Sequence, residues 1–474
     1  MISVKAASIL LALMFATTGT LSAQGPTALT IEACIKIALE KNQQRRISRL
    51  DVETAEAQLK QALSSYWPQL SFESALTHLD EDINFIFPTE TSLYTIRGLG
   101  PVAIPAQVEV PAKTIKVLDQ NNLMSRIKFT YPIFTGGLRG ALVRQGQAGV
   151  AAAQQAHRRS EVQLVYDVQR FYYGAILAQH LSRVGQRTLA QLETTMELTE
   201  MLYQAGSASV NKRDYLRSKV FLESVRSIVT LMASNVELAH TALANTMGYA
   251  WDQPIRLAQD HIPYEPVGAD LTQMISDAYR FNPDWKQLEA AIDAFEARVD
   301  EARADHFPKI GLNGTLWRWD NSMNNSGLST DQNMQGWTVG VGVKFPLFSG
   351  FLTTQKVKAA RTALEAMKAR QILFKGGLAV QIKQAFLELT HAQKIHDATL
   401  AASQMASEYR DLTERAYRQE MIDADAVIES QIMEALTTAR AEQALYGHAE
   451  AQLKLSYLVG CELEQQFQST DSPK

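Results

Sequence analysis

The chain of 474 residues carries two Glu-x-x-His pairs, Glu237 with His240 and Glu388 with His391, both within helical patterns. On a helix such a pair shares one face, and di-iron bundles use it to clamp metal. That chemistry also needs two more glutamates from facing helices, all meeting at one point. With nine histidines in the chain, a couple of such pairs arise by chance. These two also fall at non-equivalent places in the chain's internal repeat, so no metal is expected. Cys34 and Cys461 stand near opposite ends without metal-ligand spacing. Isolated buried thiols are the simpler reading, and a disulfide is open to a chain outside the cytoplasm. No Gly-Lys-Ser/Thr phosphate loop and no Gly-x-Ser-x-Gly elbow occurs. These residues describe neither an enzyme nor a cofactor site. A third cluster, Asp423, Asp425 and Glu429, sits where one helical pattern turns into the next. Acidic residues suit a helix start through its dipole. They would also favour cations if symmetry gathered them into rings.

The elements that position these residues come twice. Tyr131-Pro132-Ile133-Phe134-Thr135-Gly136-Gly137 and Phe345-Pro346-Leu347-Phe348-Ser349-Gly350 each close an alternating run and open a very long helical one. In the first half a helix runs from Thr30 toward Tyr66, where Trp67-Pro68 stops it. A strand over 68–80 alternates Leu70, Phe72 and Leu76 against polar residues. A loop with Pro88, Pro101, Pro105 and Pro111 follows, then a strand over 121–133 with Ile127, Phe129 and Tyr131 on one face. A proline-free helix over 136–204 would extend roughly 100 Å, and a return helix covers 208–247.

The second half repeats the plan, with Leu271-Thr272 answering Leu29-Thr30, Asn282 answering Asn42, and Phe307-Pro308 answering Trp67-Pro68. Its strands fall at 308–319 and 336–347, its long helix at 350–418 and its return helix at 422–459. Leu164, Val168, Phe171 and Ala175 keep the 4-3-4 spacing of a coiled-coil seam, as do Met405, Tyr409, Leu412 and Ala416. The organisation is therefore a first repeat over 24–250, a connector over 251–270, a second repeat over 271–460 and a tail over 461–474. The halves differ in two places. The loop between the strands is far longer in the first. Gly206 at the first helical turn is answered by Glu420 at the second, which predicts tips of different conformation.

The chain is 46% hydrophobic and 20% charged, with net charge −4 and no basic run, so nucleic acid is not an expected partner. Lys5 followed by Ile9 to Ala16 reads as a secretory leader over 1–23. No window of about 18 uninterrupted apolar residues follows it. Each strand nevertheless has one apolar face, and the helices offer no second layer to cover it. Lipid would cover it. A membrane sheet must close, and four strands are too few, since membrane barrels start at about eight. Three copies of the chain would supply twelve. Aromatics near the strand ends, Trp67, Tyr131, Trp317, Trp319 and Phe345, suit interfacial girdles.

The duplicated order of helix, strand, strand, long helix and return helix resembles the TolC family of outer-membrane efflux and secretion channels. So do Trp67-Pro68-Gln69-Leu70, the twin Pro-x-Phe-x-Gly junctions (Pro132, Gly136 and Gly137; Pro346 and Gly350) and the Leu-Thr…Asn openings. The resemblance spans about residues 26–462. It implies a homotrimer whose twelve-stranded β-barrel lies in outer-membrane lipid and joins a long α-helical coiled-coil tunnel through the periplasm. It also implies two partners, a periplasmic adaptor (membrane fusion) protein and an inner-membrane pump of RND, ABC or MFS type. The alternatives are a soluble periplasmic coiled-coil adaptor and a helical-bundle metalloenzyme. Family members close the tunnel at the helix tips, here residues 205–212 and 419–429. Tyr417 matches a gating tyrosine. The arginine expected five residues on is Ile422, and its acidic partner is Lys212. Glu429 matches one acidic constriction position and Ala426 stands at the other, with Asp423 and Asp425 close by. Gly206, Ser207, Glu420 and Met421 would meet the adaptor.

Overall fold

The computed structural model describes residues 28–96, 104–118, 120–207, 210–266, 268, 270–321 and 333–460. The expected leader over 1–23, Cys461 and the expected tail over 461–474 lie outside these residues. In chain order the elements are β1 (Ala28–Leu29), α1 (Ile31–Lys41), α2 (Gln43–Ser64), β2 (Gln69–His78), β3 (Ile83–Phe87), β4 (Glu90–Ile96), β5 (Ile104–Val110), β6 (Lys113–Leu118) and β7 (Asn121–Phe134). They continue with α3 (Leu138–Gln204), α4 (Lys212–Thr246), β8 (Arg256–Leu257), α5 (Leu271–Phe281), α6 (Pro283–Ala304), β9 (Lys309–Asn321), β10 (Asn333–Lys344), α7 (Leu352–Arg418) and α8 (Ala424–Val459). The two long helices, α3 and α7, have 67 residues each, about 100 Å at 1.5 Å per residue. Among the described residues no helix is long and apolar enough to cross a membrane.

The chain divides into two compact units. One comprises the residues up to Val52, Ala153–Leu288 and those from Gln371 on. Its interior is built twice. Ile31, Cys34, Ile35 and Ala38 of α1 pack with Val165, Val168, Tyr172 and Ile176 of α3 and Leu243 of α4. In the second copy Ala278 of α5 packs with Leu378, Ile382, Ala385 and Leu389 of α7 and Leu455 of α8. Burial pushes the Cys34 thiol up to about 12, so it stays neutral as a small apolar side chain. β8 pairs in parallel with β1, and the Tyr172 hydroxyl donates to Leu29 O at 3.0 Å beneath them.

The first helix of each repeat is not continuous, as the sequence suggested, but breaks at an asparagine. Asn42 Oδ1 accepts from the amides of Gln44 and Arg45 at 2.8 and 3.2 Å, capping α2. Its amide nitrogen reaches Thr246 O at 2.9 Å. Asn282 repeats this with Asp284 and Trp285 at 2.9 and 3.1 Å and with Leu458 O at 2.8 Å. The return helices end beside these hinges on Gly248 and Gly460, both left-handed at φ +82° and +81°. A Cβ on Gly248 would stand 2.8 Å from Lys41 O. The hinges thus lock each return helix to the start of its own repeat. Asn282→Ala removes a cap and orphans a carbonyl. We expect a loss of about 1–3 kcal/mol, read as a lower unfolding midpoint in detergent, and an unchanged midpoint would refute the lock.

The other unit, Glu53–Ala152 with Glu289–Arg370, carries a four-stranded antiparallel sheet in the order β10-β9-β7-β2. The register places Phe72, Ile127, Leu316 and Trp337 in one cross-sheet row and Leu70, Phe129, Gly314 and Val339 in another on the same face. That face is open: Phe72, Trp337 and Val341 are 68%, 74% and 65% exposed. The opposite face holds the Lys128–Glu73 ion pair at 2.7 Å. Trp317 and Trp319 belong to this polar face, not to an outward girdle. Strand alternation turns them away from Leu316, and the Trp317 ring lies over Gly336, where a Cβ would meet it at 2.8 Å. The stretch between β2 and β7, read from sequence as a proline-rich loop, forms two short ladders, β3 with β6 and β4 with β5.

At the strand-to-helix junctions Pro132 sits at a β-bulge of β7, a position that tolerates its missing N–H. Gly136 and Gly137 then take φ +67° and +93°. A Cβ on Gly136 would stand 2.6 Å from Ala304 O and 2.7 Å from Phe307 Cβ. In the second copy, after Pro346, Gly350 takes φ +61° and Phe351 φ +65°, so a phenylalanine accepts the left-handed place of Gly137.

Candidate functional site

The ends of α3, α4, α7 and α8 meet within the helical unit. Both turns are built alike, contrary to the sequence expectation. Gly206 and Ser207 donate to Tyr203 O and Leu202 O, and Glu420 and Met421 donate to Tyr417 O and Ala416 O. Gly206 lies at φ +70° and Glu420 at φ +51°. The helix ends need a left-handed residue to satisfy their last carbonyls, and Glu420 supplies it at a cost of about 1–2 kcal/mol. Ser207 Oγ donates to Glu420 Oε2 at 3.2 Å, linking the turns. Glu420→Gly should raise the unfolding midpoint, by about 1 kcal/mol of stability. A lower midpoint would mean that the Ser207 link outweighs the strain.

Behind the turns lies a latch between the two helical hairpins. Thr199 Oγ1 donates to Thr195 O at 2.7 Å, so the Tyr417 hydroxyl at 2.8 Å is the donor to Thr199. Burial holds the Tyr417 phenol above its ordinary range and keeps that proton in place. Gln431 donates to Thr195 Oγ1 at 2.9 Å and to Glu414 Oε1 at 3.0 Å. Arg410 grips both oxygens of Glu434 at 2.9 and 3.1 Å, and Gln191 adds a contact from α3 at 3.4 Å. Ile422, where the family would place an arginine, packs with the buried Tyr417, Ala424 and Val427. None of Thr199, Gln431, Arg410 and Glu434 stood out in the sequence. Only the pairing of α3 with α7 and α8 brings them together.

The predicted acidic residues fare differently from one another. Asp423 is the exposed N-cap residue of α8 and makes no side-chain cap bond. Asp425 is held by Arg217 of α4 at 2.6 Å through Oδ2. Its Oδ1 is buried without a hydrogen-bond partner among the described residues. Glu429 is exposed one turn further on. Lys212 is exposed as the first residue of α4, next to the capping box of Asn211 and Asp214. Met421 is 71% exposed. Of these, only Asp425 joins the two hairpins.

The seam residues of α7 lack cover among the described residues, since Met405, Tyr409 and Leu412 are 71%, 44% and 56% exposed. In the metal-type pairs, Gln179 donates to His240 at 2.9 Å, and Glu388 takes Lys454 at 2.7 Å and Gln384 at 2.8 Å. The described residues contain no group of three potential metal ligands.

Paired coiled hairpins latched at one end and a four-stranded sheet apolar on one face are the elements of the tunnel-and-barrel fold of outer-membrane channels. Solved structures share the fold. The outer membrane protein VceC from Vibrio cholerae superposes with a TM-score of 0.69 at 15% identity, covering 91% of this chain and 96% of that one. The MtrE outer membrane channel of Neisseria gonorrhoeae gives 0.68 at 18%, covering 91% and 88%.

The chain belongs to the outer membrane efflux protein family, whose profile matches residues 34–249 and 274–460. That membership places the protein in the outer membrane. Protein CyaE of Bordetella pertussis is 25% identical over 290 residues, 59% of this chain and 58% of CyaE. The probable efflux pump outer membrane protein TtgC of Pseudomonas putida is 24% identical over 295 residues, 59% and 56%. The alkaline protease secretion protein AprF of Pseudomonas aeruginosa is 21% identical over 253 residues, 52% and 50%. The match spans between half and three fifths of the length of these curated relatives.

Proposed function

We propose that the protein is a passive exit duct, a homotrimer that carries small toxic molecules or polypeptides out through the outer membrane. One observation carries this reading. The sheet has an open apolar face and a polar face, and its outermost strands, β2 and β10, have no neighbour beyond them among the described residues. Lipid satisfies the apolar face. Two further copies satisfy the edges by closing twelve strands. The open seam of α7 finds its cover in the same assembly. The helices then form the periplasmic tunnel, and the tips that carry Gly206, Ser207, Glu420 and Met421 dock a periplasmic adaptor. Energy comes from an inner-membrane pump of RND, ABC or MFS type, and the chain itself has no catalytic role. Asp423 and Glu429, repeated around the three-fold axis, form rings that favour cations, while the pairing of Asp425 with Arg217 holds the hairpins together.

Membrane fractionation, with heated and unheated samples compared on a gel, tests the reading. A heat-labile trimer in the outer membrane is expected. Recovery as a soluble periplasmic monomer would overturn it. Replacing Asp423 and Glu429 by alanine should lower cation selectivity in planar bilayers, and unchanged selectivity would remove the rings alone.

A further inference from the structure

The two ladders between β2 and β7 form a ribbon. Asn84 to Phe87 pair with Lys116 to Lys113, and Glu90 to Ile96 pair with Val110 to Ile104. Pro88 on one arm and Pro111 on the other interrupt the ladder at the same level, because neither has an N–H to give. The Ala112 amide bridges the gap to Thr89 Oγ1 at 3.2 Å. The ribbon is therefore jointed. Below the joint Phe85 and Phe87 stack edge to face at 4.8 Å and remain 55% and 49% exposed. Above it, Tyr94, Val108 and Val110 share one face with Ala106, Ser92 and Glu90, and the three large side chains are 56%, 44% and 50% exposed. A two-stranded ribbon with large apolar side chains open to water is marginal alone.

We propose that the ribbons of three copies fold over the outer mouth of the barrel and pack against one another through the faces of Tyr94, Val108 and Val110. This rests on the trimeric channel reading. The occupant follows from continuity, since β3 and β4 extend the same arm as β2, whose free edge must meet the next copy. It follows also from reach. Twelve strands about 4.8 Å apart and tilted about 40° close a mouth roughly 24 Å across. The seven residues of β4 extend about 23 Å, more than that radius. Three jointed arms of this length meet at the axis. A polar collar of His78, Asp80, Asp82 and Asn121 separates the ribbon from the lipid-facing rows, which argues against lipid as the cover.

Single-cysteine chemistry tests this, because a residue can cross-link to its own symmetry copy only near the three-fold axis. Tyr94→Cys in a Cys34→Ala, Cys461→Ser background should give disulfide dimers on oxidation of intact outer membranes. Leu347→Cys, at the far end of the sheet, should give none. Shortening the ribbon by replacing residues 83–118 with a short turn should raise single-channel conductance at least twofold. An intact trimer in which Tyr94→Cys never cross-links and reacts freely with an impermeant maleimide overturns the ribbon proposal and leaves the channel standing. Cross-linking from Tyr94→Cys to added lipid analogues also overturns it. Loss of the trimer in the unmodified protein overturns the channel reading itself.

Discussion

Val341→Arg is expected to abolish the heat-labile trimer. Val341 lies in the row of Leu312 and Tyr131, midway along the apolar face that runs from Val343 to Trp337 on β10. It is 65% exposed within the chain, so the substitution breaks no internal packing. A lone soluble sheet would tolerate it. At the middle of a bilayer an outward arginine costs about 2–4 kcal/mol, and three copies triple that, to about 6–12 kcal/mol. Thr338→Gln tests the opposite face, in the row of Thr315 and Lys128, which lines the water-filled lumen of the proposed barrel, and trimer yield should not change. If Val341→Arg assembles normally, this face does not meet lipid.

Arg410→Ala should loosen the tips more than any other single change there. Arg410 and Glu434 have side chains only 17% and 11% exposed, and the guanidinium meets both carboxylate oxygens. Removing one partner of such a pair strands the other and costs about 3–5 kcal/mol. Adding Glu434→Leu should recover part of it, because the orphaned charge is then gone. Hydrogen exchange at the ends of α7 and α8, together with leak conductance, reads the effect. Unchanged exchange in Arg410→Ala would show that the pair does not hold the tips.

The same pair sets a pH dependence. Burial alone would raise the Glu434 carboxyl, but hydrogen bonds from Arg410 and Ser407 and the arginine charge outweigh it and hold it below the usual carboxylate range. A lowered folded value means that the stabilisation is complete above the ordinary glutamate range. It is lost as pH falls through the folded value. Tip stability should therefore decline on acidification below about pH 4.3, and in Arg410→Ala that decline should flatten.

What the sequence disclosed was local. Pro132 to Gly137 and Pro346 to Gly350 could be read as strand-to-helix junctions because proline, glycine and alternation act within a few residues. The hinge at Asn42 escaped notice because nothing beside it breaks a helix pattern. Asn282, followed by Pro283, carried a usable signal. The ribbon was hidden by its own joint, since Pro88 and Pro111 read as loop while the runs between them pair. At Glu420 the inference from residue type failed. The hydrogen-bonding needs of the helix end fixed the backbone, and the glutamate bears the strain. The latch was invisible for another reason. Tyr417 and Thr199 lie 218 residues apart, and nothing in either neighbourhood announces the other.

The free edges of β2 and β10 make a single damaged chain costly to its neighbours. In the proposed ring every chain lends one edge to the copy on each side, so no seam belongs to one gene product alone. A chain that folds its helices normally but carries a spoiled β10 edge still enters assemblies and leaves a gap in each one it joins. Expressed beside the intact protein, such a variant would behave as a genetic dominant, and a simple deletion would behave as a recessive. A bacterium carrying both forms would become sensitive to the exported compounds in proportion to the fraction of mixed rings.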